Sequence, residues 1–435
     1  MGYLMLSIHD AIHGTIDVSH QEIKLIDVRP LQRLRHIKQL GFSELAFPGA
    51  THTRYAHSLG AMQMATHMVE RVLEPLGLSR EDEARLRQLV RLAVLFHDVG
   101  HAPFSHVTER VMPEVSTLGI DSWIDDLSRQ ATHEDYTVKL LIDSELTQAI
   151  DEHMGDEGIS GAMLAALVMG REPPGATGTF IFDGKDLLPL LHQIVSSEVD
   201  ADRMDYLRRD AYYCGVNYGH FDHLWLINNL TAIEHQGRWA MALRHRGVWA
   251  FENFLLARYH MFLAVYLHHT PVCFDNMLAR YFQSGGYTLP SDTESYLRTD
   301  DIDLTYHLRQ STDRWAKLVA SRRPYRLLVE RHNFGAEPND SELDKGLRDA
   351  GVHYFKSRSK GVLSKYFGGV QDSYPLLVIE PELKRVRRIE DYTPLYKRFE
   401  GVVGVSRVFC EPSRFEDALT ILRSLQPDES QLPLF

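Results

Sequence analysis

The 435-residue sequence predicts a mainly α protein: an all-helical core over residues 1–290, then a smaller α+β lobe over 291–435. Three observations predict it. Apolar residues recur at helical spacing through long stretches between Asp10 and Ser284. Glycine, proline and polar residues punctuate those stretches at Gly41, Pro48-Gly49, Gly100, Pro103 and 172–175. After 284-SGGYTLPSD-292 the texture changes to short runs rich in β-branched and aromatic residues. At about 150 residues per domain, the length allows two or three units.

The elements follow in order. The stretch 51-THTRYAHSLGAMQMATHMVERVL-73 opens a helix with Leu59, Met62, Ala65, Val69 and Val72 on its apolar face. In 84-ARLRQLVRLAVLFHDVGHAPFSH-106, Leu86, Leu89, Val90, Ala93 and Val94 form one face, and His97 ends it just before a Gly100 stop. Residues 171–184 read as a surface loop or short hairpin. Leu187, Leu190, Leu191, Ile194 and Val195 then lead into a polar helix at 200–215. Residues 300–320 read as helix, and 325–330, 352–357, 375–380 and 403–410 as strands. An amphipathic helix over 414–425 closes the pattern.

Composition excludes several classes. Lys and Arg number 47 against 59 Asp and Glu, a net charge of −12. That balance argues against generic nucleic-acid or anionic-membrane binding. No apolar run approaches the ~20 residues that span a bilayer, and the first ten residues do not read as a signal peptide. Cys214, Cys273 and Cys410 lie too far apart for a disulfide framework or a zinc pattern, so a reducing cytoplasm is expected.

The 23 histidines carry the chemical clue. His97-Asp98 at the inner end of a buried helix suits a divalent metal, although a core histidine beside an exposed aspartate has the same pattern. Arg54, one turn before His57, could grip a phosphate or be an ordinary surface arginine beside a capping histidine. Asp202, Arg203, Tyr206 and Asp210 fall within about 100° of helix face, which fits either a site or a salt-bridged surface.

Taken together, His57, His97-Asp98 and Asp202 form the H…HD…D pattern of HD-domain metal-dependent phosphohydrolases. The segments 10-DAIHGTIDV-18, 32-QRLRHIKQLG-41, 47-FPGATHTRYAHSLG-60, 97-HDVGHAPFSH-106 and 200-DADRMDYLRRDAYYCG-215 closely resemble the deoxynucleoside triphosphate triphosphohydrolases among them. The family includes the SAM-and-HD-domain enzyme and its bacterial homologues; the resemblance runs from about residue 8 to 275 and includes no SAM domain.

The resemblance implies that His57, His97, Asp98 and Asp202 bind one divalent metal ion, whether Mn, Fe, Mg, Co or Ni. Arg54 matches the α-phosphate contact, and His106, Glu109 and His133 match a second catalytic cluster that assists proton transfer. The family commonly has Asp where Glu109 stands. His101 reads equally as a supporting partner of the site or as a helix-break residue. Arg203 stands where the family has Lys on the triphosphate, Tyr206 and Arg258 match phosphate contacts, and Asp210 matches the 3′-hydroxyl partner. Gln39 and Leu40 match sugar-sensing positions, Tyr266 the residue near sugar and base, and His268 a place near the base. Asp27, Gln32 and Arg35 match the positions that read an activating nucleotide, although Leu6 and Ser7 lack the upstream basic residue. Arg322, Arg323, Lys356, Arg358 and Lys360 are either phosphate contacts from the second lobe or a solvated basic face.

The expected activity is therefore hydrolysis of a dNTP to deoxynucleoside and inorganic triphosphate, in a dimer or tetramer of this chain. Three competing readings stand beside it; one is a nucleic-acid enzyme or binder, which the net charge of −12 opposes. A second is another HD phosphohydrolase, a 5′-nucleotidase or phosphodiesterase, and the third is a non-catalytic nucleotide-sensing subunit.

Overall fold

In the computed structural model the described residues are 5–333, 340–362, 376–383, 385–393, 395 and 402–425. The fold is mainly α, and it is organised around the helix Arg54–Leu73, which packs against Arg80–Phe96 and Ala201–Cys214. Met62, Ala65, Met68, Val69 and Val72 on the first meet Leu86, Leu89, Val90, Ala93 and Val94 on the second in one buried cluster. Ser79 caps Arg80–Phe96 by accepting from Asp82 N, and Glu81, Asp82 and Glu83 place negative charge at the positive end of its dipole. Gly215, at a φ of 69°, ends Ala201–Cys214.

Short β elements frame the helices. Strands β1 (Leu6–Asp10) and β2 (Gly14–Val18) form a hairpin. The 171–184 region holds β3 (Ile181–Phe182), which turns back into β4 (Lys185–Asp186). Strands β5 (Leu230–His235) and β6 (Arg238–Arg244) form a hairpin around Gln236 and Gly237, both at positive φ. This hairpin lies in a stretch that reads as helical in the sequence. Leu230–Ala232 and Ala240–Leu243 are consecutively buried, so the alternation that marks a half-exposed strand is missing there.

The remaining strands are β7 (Arg326–Asn333), β8 (Tyr354–Val362), β9 (Leu377–Glu380), β10 (Arg385–Arg388) and β11 (Val402–Cys410). Strands β7, β11 and β8 form one antiparallel sheet, in that order. The helices Ser341–Asp349 and Phe415–Ser424 cover it, burying Leu343, Leu347 and Ala418 against Leu328 and Val408. Strand β9 does not join this sheet. It runs parallel to β6, giving the order β10-β9-β6-β5. The 300–320 stretch is two helices, Asp301–Gln310 and Arg314–Ala320, because Asp313 accepts from Trp315 N and Ala316 N and starts a new cap. All three cysteines are free, and among the described residues no helix is long and apolar enough to cross a membrane.

Gly60 of Arg54–Leu73 lies directly against Ala201–Cys214: an added Cβ would be 2.1 Å from Asp205 Oδ1 and 2.2 Å from Arg209 Nη2. Gly60→Ala is therefore expected to destabilise the protein by at least about 2 kcal/mol, through overpacking on a buried ion pair. Chemical unfolding of wild type and variant checks this; equal midpoints would show that the helices can separate freely.

Candidate metal centre

The centre forms where three helix ends converge. His57 sits in the first turn of Arg54–Leu73, His97 is the C-cap of Arg80–Phe96, and Asp202 lies in the first turn of Ala201–Cys214. His57 Nε2 lies 3.0 Å from Asp202 Oδ1 and 3.8 Å from Asp98 Oδ2. His97 Nε2 lies 3.4 Å from Asp98 Oδ1 and 3.7 Å from Asp202 Oδ1. Both Nε2 atoms are buried without a hydrogen-bond partner.

The opposite ring nitrogens explain this orientation. His57 Nδ1 donates to Asp205 Oδ2 at 2.8 Å, and His97 Nδ1 donates to Val94 O at 2.6 Å. A carbonyl and a carboxylate can only accept, so each Nδ1 carries the proton and each Nε2 lone pair faces the two aspartates. Two imidazoles and two carboxylates suit a divalent cation, and His57, His97 and Asp98 hold their ligand atoms within 4.8 Å of one another. Without a cation, burial opposes charge on His57, but Asp202 and Asp205 outweigh it and raise its pKa to about 10. A proton then sits where the metal would, and metal binding must displace it.

Around Asp98, burial opposes ionisation, and Arg54, His97 and His101 overcome it and hold the carboxyl well below its usual range. Arg54 pairs directly with Asp98 and donates from Nε to Ser105 Oγ at 2.9 Å. His101 is buried, with Nε2 3.3 Å from Asp98 Oδ1 and its ring stacked 3.9 Å from His133. This placement makes it a partner of the site. Burial and the nearby Arg54 charge push its pKa well down, so the ring is neutral. On the far side, Glu109 Oε1 accepts from His106 Nδ1 at 2.9 Å and from His133 Nδ1 at 2.6 Å. Burial opposes charge on Glu109, but the two histidines hold it below the ordinary glutamate range. Glu109 therefore reaches both rings with the longer side chain.

A third group lies along Ala201–Cys214. Asp210 accepts from His52 Nε2 at 2.8 Å and from Tyr266 Oη at 2.7 Å. Tyr206 stands between this group and the centre, its ring 6.5 Å from His57 and 6.1 Å from Tyr266. Tyr266 ends a π-helical turn over Phe262–Tyr266, a rare feature that concentrates at functional sites. Arg203 pairs with Asp200, and Arg258 with Glu198 at 3.0 Å, so both cations are buried and held. Gln39 is tied to this side by its N–H donating to His52 O, and its Oε1 is buried without a partner. Leu40 follows, half-buried.

His268 is set apart. It accepts from Thr270 N as a helix cap and packs edge-on against Phe47. Gln32 and Arg35 meet each other at 2.6 Å, with the Arg35 guanidinium 3.6 Å over the Tyr55 ring, while Asp27 caps the helix His20–Ile26. In the second lobe, Arg322 and Arg323 are exposed and Lys356 pairs with Asp344. Arg358 lies in β8, and the Lys360 side chain falls outside the described residues.

Sequence reasoning missed the support beneath His57. Asp205 is fully buried and accepts from His57, from His13 Nε2 at 2.6 Å, and from Arg209 Nε at 2.8 Å. Arg209 also donates to Asp10 Oδ2 at 2.9 Å. The signal was present: Asp205 and Arg209 are one helical turn apart, and Asp10 and His13 lie in 10-DAIHGTIDV-18.

Residues 54–210 match the HD domain family, and residues 221–341 match the HD associated region. The chain carries an HD domain. All four candidate ligands fall within the matched HD domain. An uncharacterised protein of Methanocaldococcus jannaschii is 28% identical over 90% of this chain and 75% of its own length. The deoxynucleoside triphosphate triphosphohydrolase SAMHD1 homolog of Dictyostelium discoideum is 36% identical over 48% of this chain and 36% of its own. The chain spans about half the length of several other curated relatives. The crystal structure of a hypothetical protein from Aquifex aeolicus superposes with a TM-score of 0.72 at 25% identity, covering 96% of this chain and 100% of that one. HD domains are metal-dependent phosphohydrolase folds, and this one has His/Asp groups able to hold a metal.

Two expectations follow. Mn²⁺ binding to metal-stripped protein at pH 7 should release about one proton, from His57. Calorimetry in buffers of different ionisation enthalpy measures this, and proton-free binding would show that His57 is neutral before the metal arrives. Asp205→Asn should weaken metal affinity by about ten-fold or more, because the carboxylate that orients His57 is lost; a metal titration of the folded variant checks it.

Proposed function

We propose that the chain hydrolyses deoxynucleoside triphosphates at the α-phosphorus, giving deoxynucleoside and inorganic triphosphate. The observation that carries this reading is one continuous chain of side chains: Asp202 and His57, then Asp98 with Arg54 and His101, then His133, Glu109 and His106. It joins three of the four candidate metal ligands, with His97 beside Asp98 and Asp202, to an arginine and a cluster of titratable side chains. The Dictyostelium relative bears the name of this activity.

His57, His97, Asp98 and Asp202 would hold a divalent cation, which when bound supplies Lewis-acid polarisation of a phosphate oxygen and lowers the pKa of water. The rest falls to side chains. Arg54, Arg203 and Arg258 neutralise phosphate charge, and each is already fixed by a carboxylate, so little reorganisation is needed in the transition state. Water attacks the α-phosphorus in line, and the 5′-oxygen leaves with a proton delivered from His106 or His133 while Glu109 holds their orientation. Tyr206 contacts phosphate, and Asp210 accepts from the 3′-hydroxyl beside Tyr266. Gln39 and Leu40 contact the sugar, and His268, although it caps a helix beside Phe47, is the residue assigned to the base. Asp27, Gln32 and Arg35 form an activator contact around Tyr55 in a homo-oligomer.

The test uses metal-stripped protein resupplied with Mn²⁺, Fe²⁺ or Mg²⁺, with each dNTP singly and all four mixed, and products resolved by anion exchange. Deoxynucleoside with triphosphate is the expected outcome, and turnover confined to the mixture would support the activator contact. Monophosphate or orthophosphate would favour the nucleotidase reading. The His97→Ala/Asp98→Ala variant is expected to lose turnover by at least about a thousand-fold while remaining folded; retained turnover would overturn the assignment.

A further inference from the structure

The loop that follows His97-Asp98 contains an unusual backbone. Phe104 and Ser105 are consecutive non-glycine residues in the left-handed region, at φ 54° and 59°. Side chains seldom adopt this conformation singly, and two in succession persist only where the surroundings over-determine them. Three contacts do so. The Phe104 ring stacks 4.5 Å from Phe42. Ser105 N donates to Ala102 O at 2.9 Å. Phe104 N donates to Asp301 Oδ1 at 2.7 Å.

Asp301 is distant in sequence. It opens the helix Asp301–Gln310, yet it is not that helix's cap, since Asp300 accepts from Ile302 N and Asp303 N. Its other oxygen, Oδ2, accepts from Lys38 N at 3.0 Å. One buried carboxylate thus joins two backbone segments. The Lys38 segment continues into Gln39 and receives Ser105 Oγ on Lys38 O at 3.2 Å. The Phe104 segment presents Ser105 Oγ to Arg54 Nε and continues into His106.

The residues before Asp301 reinforce the same loop. Tyr296 Oη donates to Gly100 O at 2.6 Å and Leu289 N to Val111 O at 3.2 Å, while Arg33 bridges Thr299 O at 2.7 Å to Val99 O at 3.5 Å. All these partners lie in the HD associated region, whereas the loop lies in the HD domain.

We propose that Asp301 is a positioning residue for the candidate centre: it holds the left-handed Phe104–Ser105 pair to the Lys38 backbone and thereby sets the placement of Arg54 and His106. The HD associated region then completes the phosphate-binding and proton-delivering side of a site whose metal ligands all lie in the HD domain. The link to catalysis rests on the function proposed above, whereas the link to loop geometry does not.

Asp301→Ala removes both acceptors. Asp301→Asn keeps one and turns a donor toward an N–H, so it is the milder variant and carries the test should Asp301→Ala fail to fold. Two readouts separate the claims. Hydrogen exchange followed by mass spectrometry should show peptides covering 36–40 and 100–106 exchanging about ten-fold faster, with the interior of Arg54–Leu73 unchanged. Unchanged exchange in both segments would overturn the proposal, whatever the substrate proves to be. Against the nucleotide that wild type hydrolyses, kcat should fall about ten- to hundred-fold, with Mn²⁺ stoichiometry and KM nearly unchanged and Asp301→Asn intermediate. Faster exchange with undiminished kcat would also overturn it. A wild type without phosphohydrolase turnover would instead refute the function, and the exchange result would still decide whether Asp301 holds the loop.

Discussion

The structure depends on one carboxylate that never meets water. Asp205 lies at the crossing of Arg54–Leu73 and Ala201–Cys214 and accepts from His57, His13 and Arg209. Burial opposes its charge, but Arg209, His13 and His57 hold its carboxyl well below the usual range. An unpaired charge at this depth would cost several kcal/mol. Each partner is therefore fixed in turn: the β1–β2 hairpin is held through Asp10 and His13, and His57 is turned so that Nε2 faces the centre. Packing and site geometry are here the same interaction, and Gly60 lets the two backbones come close enough to form it.

From that fixed point the site extends in two directions of different character. Toward Asp98, His101 and Glu109 it is a relay of short polar contacts between titratable groups. Toward Asp210 and Tyr266 it is a set of buried aromatic and charged side chains whose cations are already paired. The first is rich in groups that can exchange protons, and the second in groups held in fixed pairs. They meet at Asp202 and Tyr206, four residues apart on one helix, and a modest rotation of that helix would disturb both.

Much of this was legible in the sequence. The buried faces of Arg54–Leu73 and Arg80–Phe96 follow from helical spacing, and the resemblance named the quartet that the structure brings together. The strands of the β7-β11-β8 sheet were each readable because their composition is local. The β5–β6 hairpin was not, since the consecutively buried stretches of its two strands lose the period of two. Neither was the pairing of β6 with β9, which joins residues more than a hundred positions apart. Asp205 was hidden because an i, i+4 Asp–Arg pair reads as surface decoration until the helix is seen to turn inward. His101 was undecided because a helix-ending histidine acquires meaning only from Asp98 and His133 in space.

The parallel pairing of β6 with β9 constrains how the chain can mature. Until residues near 377 are available, the Ala242–Arg244 edge of β6 has no neighbour, although the helices beside it can already condense. Parallel partners this far apart close late, because the intervening loop entropy must be overcome first. A ribosome-bound intermediate would thus carry a largely assembled helical body with one open, apolar strand edge, the kind of surface that invites chain-to-chain pairing. The short arginine-bearing β10, added as the last strand, supplies the charged margin that ends this hazard.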